Sequence, residues 1–293
     1  GMTLRKSMDM VGAAGLVGFS LMLAFNQLVI KFTNTGVAPV FGAGVRSAIG
    51  VGVLVLWMVA RRYSLAGMAD SVRGGLLLGA FFSAEFLMLF LALDLTTVSR
   101  ASILLYSMPV WLTLLAHVLL PGERLTLPRL VGLGCAMAGV ALALHDPSSR
   151  AAGDWRGDLL AFGASFCWAG IALTLRLSRA SDLPPEGQLL WQLGVSAVVL
   201  CAVAPLFGPV LREPGVEHLL GLGFQGIAVA SLGFLFWLAL MKRYRASDVA
   251  AFSFLTPVLA VDMGWLFLDE PLGPAFIGAI LLVAVGIVLI NRR

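Results

Sequence analysis

The chain has 293 residues, of which 59% are hydrophobic and only 12% are charged, and its mean hydropathy is +0.95. Soluble domains average about 25% charged residues, so a chain this apolar could not cover a water-facing surface. The composition excludes an ordinary soluble protein and predicts a membrane protein. The net charge of +4 does not indicate nucleic-acid binding, because the basic residues fall in short clusters between apolar runs.

Ten apolar segments follow one another along the chain. Each is long enough, or nearly long enough, to cross a bilayer as a helix, which takes about 20 residues. The runs are continuous, without the alternation of barrel strands, so we predict an all-α integral membrane protein with ten transmembrane helices. The first run lacks a small-residue cleavage site, and we expect it to remain as a helix. The segments are 10–30, 37–60, 74–93, 101–120, 127–144, 159–175, 189–207, 219–241, 249–268 and 272–290.

The lysines and arginines are unevenly distributed between alternate loops, with 14 of the 20 on one side of the predicted bundle. Cytoplasmic loops carry the excess of basic residues, so this side and both termini are predicted to be cytoplasmic. A missed or additional helix would disturb the alternation in all later loops. The alternation persists to the C-terminus, which supports the predicted order of helices.

The sequence nearly repeats itself once. Pro109–Glu123 reads PVWLTLLAHVLLPGE and Pro257–Glu270 reads PVLAVDMGWLFLDE, each running from Pro-Val through apolar residues to a turn and a glutamate. Five predicted helices make up each copy, and because five is odd the second copy enters the membrane from the opposite side. We therefore predict inverted repeats over 1–146 and 159–293, a linker over 147–158 and a central cavity between the repeats. Further pairs in register are Ala92-Leu93 with Ala239-Leu240, Gly132 and Gly139 with Gly278 and Gly286, and Lys31 with Arg176.

In these residues the chain resembles the EamA-type transporters of the drug/metabolite transporter superfamily. The resemblance covers essentially the whole chain and implies a secondary carrier of the bacterial inner membrane that exports amino acids or other metabolites. Aromatic-amino-acid exporters are the most similar group in length and in the composition of the predicted cavity. The second repeat departs from the first, since Gln192 stands where the first has Arg46. The resemblance rests on the two Ala-Leu pairs, Pro109, Pro257, the turns at Glu123 and Glu270, the glycines of helices 5 and 10, and Arg46.

Charged residues inside the predicted spans are candidate functional residues, because each costs roughly 2.5–3.5 kcal/mol or more to insert. Glu85 lies midway along the third span, where it either binds a substrate ammonium group or a proton, or hydrogen-bonds a neighbouring helix. Arg46 could hold a substrate carboxylate, cap backbone carbonyls or pair with an acid. Asp262 lies nearer the outer end of the ninth span, and we expect it to be structural.

Aromatic residues well inside the spans are the second set of candidates. Phe82 and Glu85 are three residues apart, hence on one helix face, and Phe234 and Trp237 share this spacing. Their spans are repeat equivalents, so we predict an acid-plus-aromatic face opposite an aromatic face, suited to aromatic or amphipathic solutes. Lipid contact or core packing is the alternative for any single ring. The full set of candidate binding residues is Glu85, Phe82, Tyr106, Trp168, Phe234, Trp237, Arg46, Asn26, Gln27 and Ser253.

Two prolines and the scarcity of catalytic motifs complete the prediction. Pro109 and Pro257 remove helix hydrogen bonds at matching positions, so they are natural bending points for alternating access, or else passive packing kinks. The GxGxxG match at Gly221–Gly226 follows no strand, and the histidines are scattered, so we expect no enzyme, cofactor or metal site. We predict a monomeric exporter of small solutes, amino acids foremost. The alternatives are export of another metabolite or drug and a channel-like or lipid-moving protein.

Overall fold

The computed structural model describes residues 8–120, 125–244 and 252–290. Helices make up nearly all of these ranges, and the β contact within them is an isolated bridge between Val37 and Leu211. A π-helical segment, Phe224–Gly233, joins α10 to α11. The helices are α1 Met10–Thr33, α2 Pro39–Ala60, α3 Val72–Leu95, α4 Val98–Leu105, α5 Met108–Leu119, α6 Leu127–His145, α7 Pro147–Ala152, α8 Trp155–Leu177, α9 Pro185–Val203, α10 Val216–Gly223, α11 Phe234–Arg243, α12 Phe252–Leu268 and α13 Pro274–Ile290.

In the part of the chain that the structure describes, the predicted apolar segments fall almost entirely on helices. Within the described ranges, eight helical stretches are long and apolar enough to cross a membrane, and α12 and α13 add two shorter apolar helices. The two segments that were short by sequence, 127–144 and 159–175, lie in stretches of 19 and 23 residues. The all-α membrane prediction is therefore confirmed. Because α12 and α13 have 17 residues each, the count of ten membrane-crossing helices stays a prediction.

The two repeat-related prolines lie in different local structures. Tyr106 and Ser107 separate α4 from α5, and Pro109 lies in the first turn of α5, where its missing N–H removes no helical hydrogen bond. Pro257 instead lies inside the continuous helix α12. The helix is therefore broken beside Pro109, while α12 continues through Pro257 and lacks the hydrogen bond that an N–H there would donate. Hinge motion at either proline stays a prediction.

The chain forms two compact units, and each draws segments from both predicted repeats. The first unit comprises Gly1–Leu28, Leu95–Phe162 and Phe236–Arg293, and the second comprises Val29–Asp94 and Gly163–Leu235. Helices predicted to be repeat equivalents pack together inside a unit: α6 with α13 in the first, and α2 with α9 in the second. The repeat boundaries themselves stay a prediction.

Glycines allow α6 and α13 of the first unit to pack backbone against backbone. A Cβ on Gly286 would lie 2.5 Å from the carbonyl oxygen of Gly132, and one on Gly139 would lie 2.7 Å from that of Ala279. Small residues at such crossings let helix backbones approach closely in a membrane. This contact therefore requires Gly132, Gly139 and Gly286, three of the four glycines that occupy matching positions in the two predicted repeats. The fourth, Gly278, is less crowded, with its nearest neighbour at 3.9 Å.

A buried ion pair connects the first turn of α8 to the first turn of α4, within the first unit. Arg100 donates from Nε to both carboxylate oxygens of Asp158 at 3.1 Å and from Nη2 to Oδ2 at 2.6 Å. Its Nη1 donates to Ser149 Oγ at 2.9 Å, and Thr96 Oγ1 donates to Asp158 at 2.9 Å. Both charged side chains are buried and fully hydrogen-bonded, so this pair holds the first unit together.

Glu270 caps the N-terminus of α4, also within the first unit. Its carboxylate accepts hydrogen bonds from the backbone N–H of Val98 at 2.8 Å, from that of Ser99 at 3.1 Å, and from Ser99 Oγ at 2.6 Å. An acidic side chain at a helix N-terminus satisfies unpaired N–H groups and interacts favourably with the helix dipole. The glutamate that ends the second repeat phrase is therefore structural. Its predicted counterpart, Glu123, lies outside the described residues.

The second unit is built on a close contact of α2 with α9. A Cβ on Gly44 would lie 2.8 Å from the backbone nitrogen of Cys201, and Ser196 Oγ donates to Ser47 Oγ at 2.8 Å. Gln192, the predicted counterpart of Arg46, lies on α9 and donates to Gln188 O at 3.4 Å. An apolar cluster surrounds this contact and includes Leu54, Leu78, Phe82 and Leu193, with Phe234 packed against it.

Candidate functional site

The candidate binding residues separate into two groups, one in each unit. The charged residues and three of the aromatic rings lie in the second unit: Arg46, Glu85, Phe82, Trp168 and Phe234. The first unit contains Asn26, Gln27, Tyr106, Trp237, Ser253, Pro109 and Pro257. The second unit therefore contains both charged candidate residues, Arg46 and Glu85.

Arg46 lies against a stripe of phenylalanine rings on α3. Its Cζ atom is 4.2 Å from the ring centroid of Phe86 and 5.5 Å from those of Phe82 and Phe90. The three rings are spaced four residues apart, so they follow one face of the helix. Arg46 is 5% exposed. A guanidinium over aromatic faces is held by cation–π attraction, and this explains how α2 tolerates the charge.

The guanidinium of Arg46 is buried with unused hydrogen-bond donors. Nε and Nη2 have no hydrogen-bond partner in the described chain. A buried donor left without a partner costs roughly 1–3 kcal/mol, so such groups call for an explanation. Arginine presents its N–H groups as a planar fork that matches a carboxylate or phosphate. The free edge of Arg46 is thus chemically suited to an anionic group.

Glu85 lies on α3, one turn from Phe82, and is also 5% exposed. Its charge attracts that of Arg46. Yet among the described residues the two form no ion pair within 4.0 Å, and Glu85 makes no hydrogen bond. The sulfur of Cys167 on α8 is also within electrostatic reach of the carboxylate. The second unit therefore holds an acidic and a basic side chain that are buried near each other but form no ion pair.

Helix α8 packs on the same helix as the acid. Cβ atoms on Gly170 and Gly163 would lie 2.7 Å from the Phe81 ring and 2.8 Å from Met88 Sδ, so both glycines meet α3. Cys167 falls between these glycines on that face, and the partly buried Trp168 follows it. Phe81 and Met88 flank Glu85 in sequence, so α8 covers the carboxylate.

The two rings predicted to share a face of α11 fall in different units. Phe234 packs against the apolar cluster that contains Phe82, in the second unit. Trp237, three residues later, packs in the first unit against Leu16, Leu240 and Tyr244. Phe234 therefore contacts the cluster that contains Phe82, whereas Trp237 contacts a different cluster in the first unit.

A π-helical segment passes beside Arg46. A Cβ on Gly226 would lie 2.9 Å from the carbonyl oxygen of Arg46, so this glycine allows the segment to contact α2. The neighbouring Gln225 is 1% exposed; it donates from Nε2 to Thr33 Oγ1 at 2.9 Å, and its Oε1 has no partner in the described chain. Irregular π turns are frequent at functional sites. The GxGxxG match at Gly221–Gly226 lies inside this helical span. Gln225 was not among the predicted binding residues, although it is a polar residue in an apolar run.

The first unit contributes uncharged polar groups. The side-chain carbonyl oxygens of Asn26 and Gln27, consecutive residues of α1, are buried without a hydrogen-bond partner in the described chain. Tyr106, which ends α4, and Ser253, in the first turn of α12, are both buried. Asp262 is exposed on α12, and its structural role stays a prediction.

Comparison with known proteins decides the class of protein. The sequence model of the EamA-like transporter family matches the chain twice, over residues 10–145 and 155–292. The chain belongs to this family. The two matches fall on the two predicted repeats, and the family is one of transporters, so this EamA-type protein is a multi-pass bacterial membrane transporter.

Individual relatives carry names that refer to amino acids. The aromatic amino acid exporter YddG of Ancylobacter novellus is 29% identical over 85% of this chain and 86% of its own length. The probable amino-acid metabolite efflux pump of Escherichia coli is 26% identical over 88% and 87%. A solved crystal structure shares the fold, with a TM-score of 0.67, 23% identity, and coverage of 94% of this chain and 97% of its own. The family and the two named relatives support export of a metabolite, and the solved structure supports the fold.

Proposed function

We propose that this EamA-family protein exports amino acids, neutral or aromatic, with Arg46 binding the substrate carboxylate and Glu85 binding its ammonium group. The observation that carries the proposal is the pair of buried, unpartnered N–H groups on Arg46, within the field of an equally buried and unjoined Glu85. An amino acid carries both complementary charges on one carbon. The names of the relatives support the same substrate class.

The aromatic stripe supports a substrate with an apolar or aromatic side chain. Phe82, Phe86 and Phe90 already present their faces to the Arg46 guanidinium. A carboxylate accepting from Nε and Nη2 would form the bidentate pair that arginine makes best. It would also remove the cost of two unsatisfied donors, so binding and the stability of the second unit are linked in this proposal.

Transport by alternating access follows from the same charges. Two buried charges that water reaches in an open state must lose that hydration when the site closes, which is costly unless a ligand replaces the water. An amino acid neutralises both at once, so the loaded protein closes more readily than the empty one. Pro109, beside the break between α4 and α5, is the element we propose to bend.

Orientation and location complete the proposal. The excess of Lys and Arg on one side supports an inner-membrane protein with both termini in the cytoplasm, and we propose a monomer. Reporter fusions within the loop 61–73 should report a cytoplasmic location. A periplasmic signal there would reverse the direction of the whole bundle.

The direct test is flux in proteoliposomes. Purified protein is reconstituted and offered a panel of labelled amino acids that includes aromatic and small neutral members, and saturation and counterflow are measured. We expect saturable exchange for at least one of them. Flux that rises linearly without saturation would favour a channel-like protein. Absence of any flux across the panel, with folded protein present, would move the substrate to another metabolite or drug.

A variant pair assigns Glu85. Glu85→Gln should leave the protein folded and raise the half-saturation concentration or change the pH dependence of transport, because the substrate ammonium loses its counter-charge. Glu213→Gln is the matched control, since Glu213 is exposed and lies outside the spans. Equal kinetics for wild type and Glu85→Gln at every pH would make Glu85 a structural residue.

A further inference from the structure

A groove opens at the ends of α6 and α8, within the first unit and apart from the charges of the second. Its volume is about 1040 Å³, in the upper range of ligand cavities. Charged side chains of the lining are Arg150 on α7, Asp154 before α8 and Arg156 in the first turn of α8. Its apolar lining includes Leu104, Leu159 and Phe162. The groove therefore combines basic and apolar side chains.

Only part of the basic charge in this groove is neutralised by protein. Arg100 donates to Asp158 and Ser149, and Arg156 donates to Asp154 from Nε at 3.2 Å and from Nη2 at 2.8 Å. Arg150 is exposed and makes no hydrogen bond or ion pair within the ranges that the structure describes. The groove thus presents one uncompensated guanidinium to an incoming ligand.

The position of the groove along the helices indicates which ligand reaches it. It lies where the spanning stretch Leu127–His145 ends and Trp155–Leu177 begins, at the level of the membrane interface. Trp155 lines it and is 72% exposed, and Leu159, one turn further into the span, is 61% exposed. Exposed tryptophan is typical of the headgroup level, and exposed leucine below it faces acyl chains.

We infer that this groove binds an anionic phospholipid, with the phosphate at Arg150 and an acyl chain along Leu159 and Leu104. A phospholipid combines the two features the groove requires, an anionic head and an apolar tail that continues into the bilayer. Basic pockets between transmembrane helices bind phosphate headgroups by this combination of contacts. A small soluble anion would use the arginine but would leave the apolar wall uncovered. The inference is independent of the amino-acid site, because it uses no residue of the second unit.

Native mass spectrometry of the detergent-purified full chain tests the inference. The protein is titrated with phosphatidylglycerol, with phosphatidylcholine and with inorganic phosphate, and the bound fraction is measured. We expect phosphatidylglycerol to bind most tightly. Arg150→Gln should weaken its binding roughly fivefold, the effect expected of one basic side chain near an anionic lipid surface. Leu159→Gln should weaken it by a similar factor.

Two control variants match these substitutions. Arg179→Gln removes another exposed arginine outside the groove, and Leu177→Gln replaces a leucine of nearly equal exposure, 60% against 61%. Neither should change lipid binding, and all four variants should keep the wild-type unfolding temperature, since none of the four side chains is buried. Equal losses for Arg150→Gln and Arg179→Gln would overturn the site in favour of a general charge effect. Equal binding of the two lipids, or competition by inorganic phosphate, would overturn the phospholipid as the occupant.

Discussion

Two arginines are buried to almost the same degree, Arg46 at 5% exposure in the second unit and Arg100 at 4% in the first. Arg100 uses Nε, Nη1 and Nη2 as donors to a carboxylate, a hydroxyl and backbone carbonyl oxygens. Arg46 has two of these three nitrogens without a partner and rests on aromatic rings instead. The two arginines are therefore equally buried, but the hydrogen-bond donors of Arg100 have partners and two of those of Arg46 do not.

The difference separates a structural charge from a functional one. A buried charge whose hydrogen bonds are all made contributes to holding its unit together, and removing its partner leaves an uncompensated ion. A buried charge that keeps open donors destabilises the empty protein, so it is retained for what it binds. Glu270 and Glu85 repeat the contrast among the acids. The predictions below test it, beginning with the largest expected effect.

Arg100→Met should destabilise the protein by about 3–5 kcal/mol, because it leaves the Asp158 carboxylate buried without its cation. Chemical unfolding in detergent measures the change. The double variant Arg100→Met/Asp158→Leu should recover much of the loss, since replacing both ions removes the orphaned charge. A single variant as stable as wild type would show that water already solvates Asp158, and the structural assignment of the pair would be wrong.

Arg46→Gln should lower the transport efficiency for amino acids roughly a hundredfold, because a charge-assisted bidentate pair worth about 3 kcal/mol is lost. Its unfolding temperature should stay close to that of the wild type, because the lost cation–π contacts are offset by the removal of a desolvated charge. Arg46→Lys keeps the charge but not the fork, and should recover only part of the flux. A large loss of stability with normal flux per folded molecule would place Arg46 with Arg100 as a structural residue.

Glu270→Gln should cost about 1–2 kcal/mol of folding stability, because the amide group directs N–H donors at the N-terminus of α4 and loses the favourable charge there. Glu85→Gln is the natural comparison. It removes the same charge from a carboxylate that makes no hydrogen bond in the described chain, so its effect on stability should be small. Unfolding curves of the two variants, measured in the same detergent, show which substitution destabilises the protein more. A Glu85 variant that is the less stable of the two would reverse the assignment.

Local composition predicted the helices, while the partners of the buried charges required the tertiary structure. Continuous apolar runs predicted the eight stretches long enough to cross a membrane and the two shorter apolar helices, because length and hydropathy are local properties of the chain. Phe86, Phe90 and Gln225 were missed, although the first two continue the spacing of Phe82 along α3. The contacts of Arg46 depend on how α2, α3 and the π-helical segment pack, and an apolar run in the sequence does not indicate which of its residues will make them. The pairing of Arg100 with Asp158 crosses from one predicted repeat to the linker, and no sequence spacing indicates it.

Units and repeats also differ for a physical reason. The predicted repeats are divided in sequence, whereas each compact unit joins helices from both. Glycine contacts such as Gly132 with Gly286 draw equivalent helices together, because backbone approach is the main source of packing between helices in lipid. Sequence symmetry therefore indicates which helices pair, but not where a compact unit ends.

The smallest effect on stability is expected at Asp154, four residues before Asp158. Asp154 pairs with the exposed Arg156. Hydrogen bonds from Arg156 hold the pKa of Asp154 below its usual value. A lowered acid pKa in the folded state contributes stability at neutral pH that is lost as the pH falls through that pKa. The side chain of Arg156 is 60% exposed and that of Asp154 is 24% exposed, so water screens the interaction. Asp154→Asn should therefore leave the unfolding temperature unchanged between pH 5 and 8. A shift as large as that of Asp158→Asn, measured in parallel, would show that burial does not distinguish the two pairs, and the structural assignment of the Arg100–Asp158 pair would lose its basis.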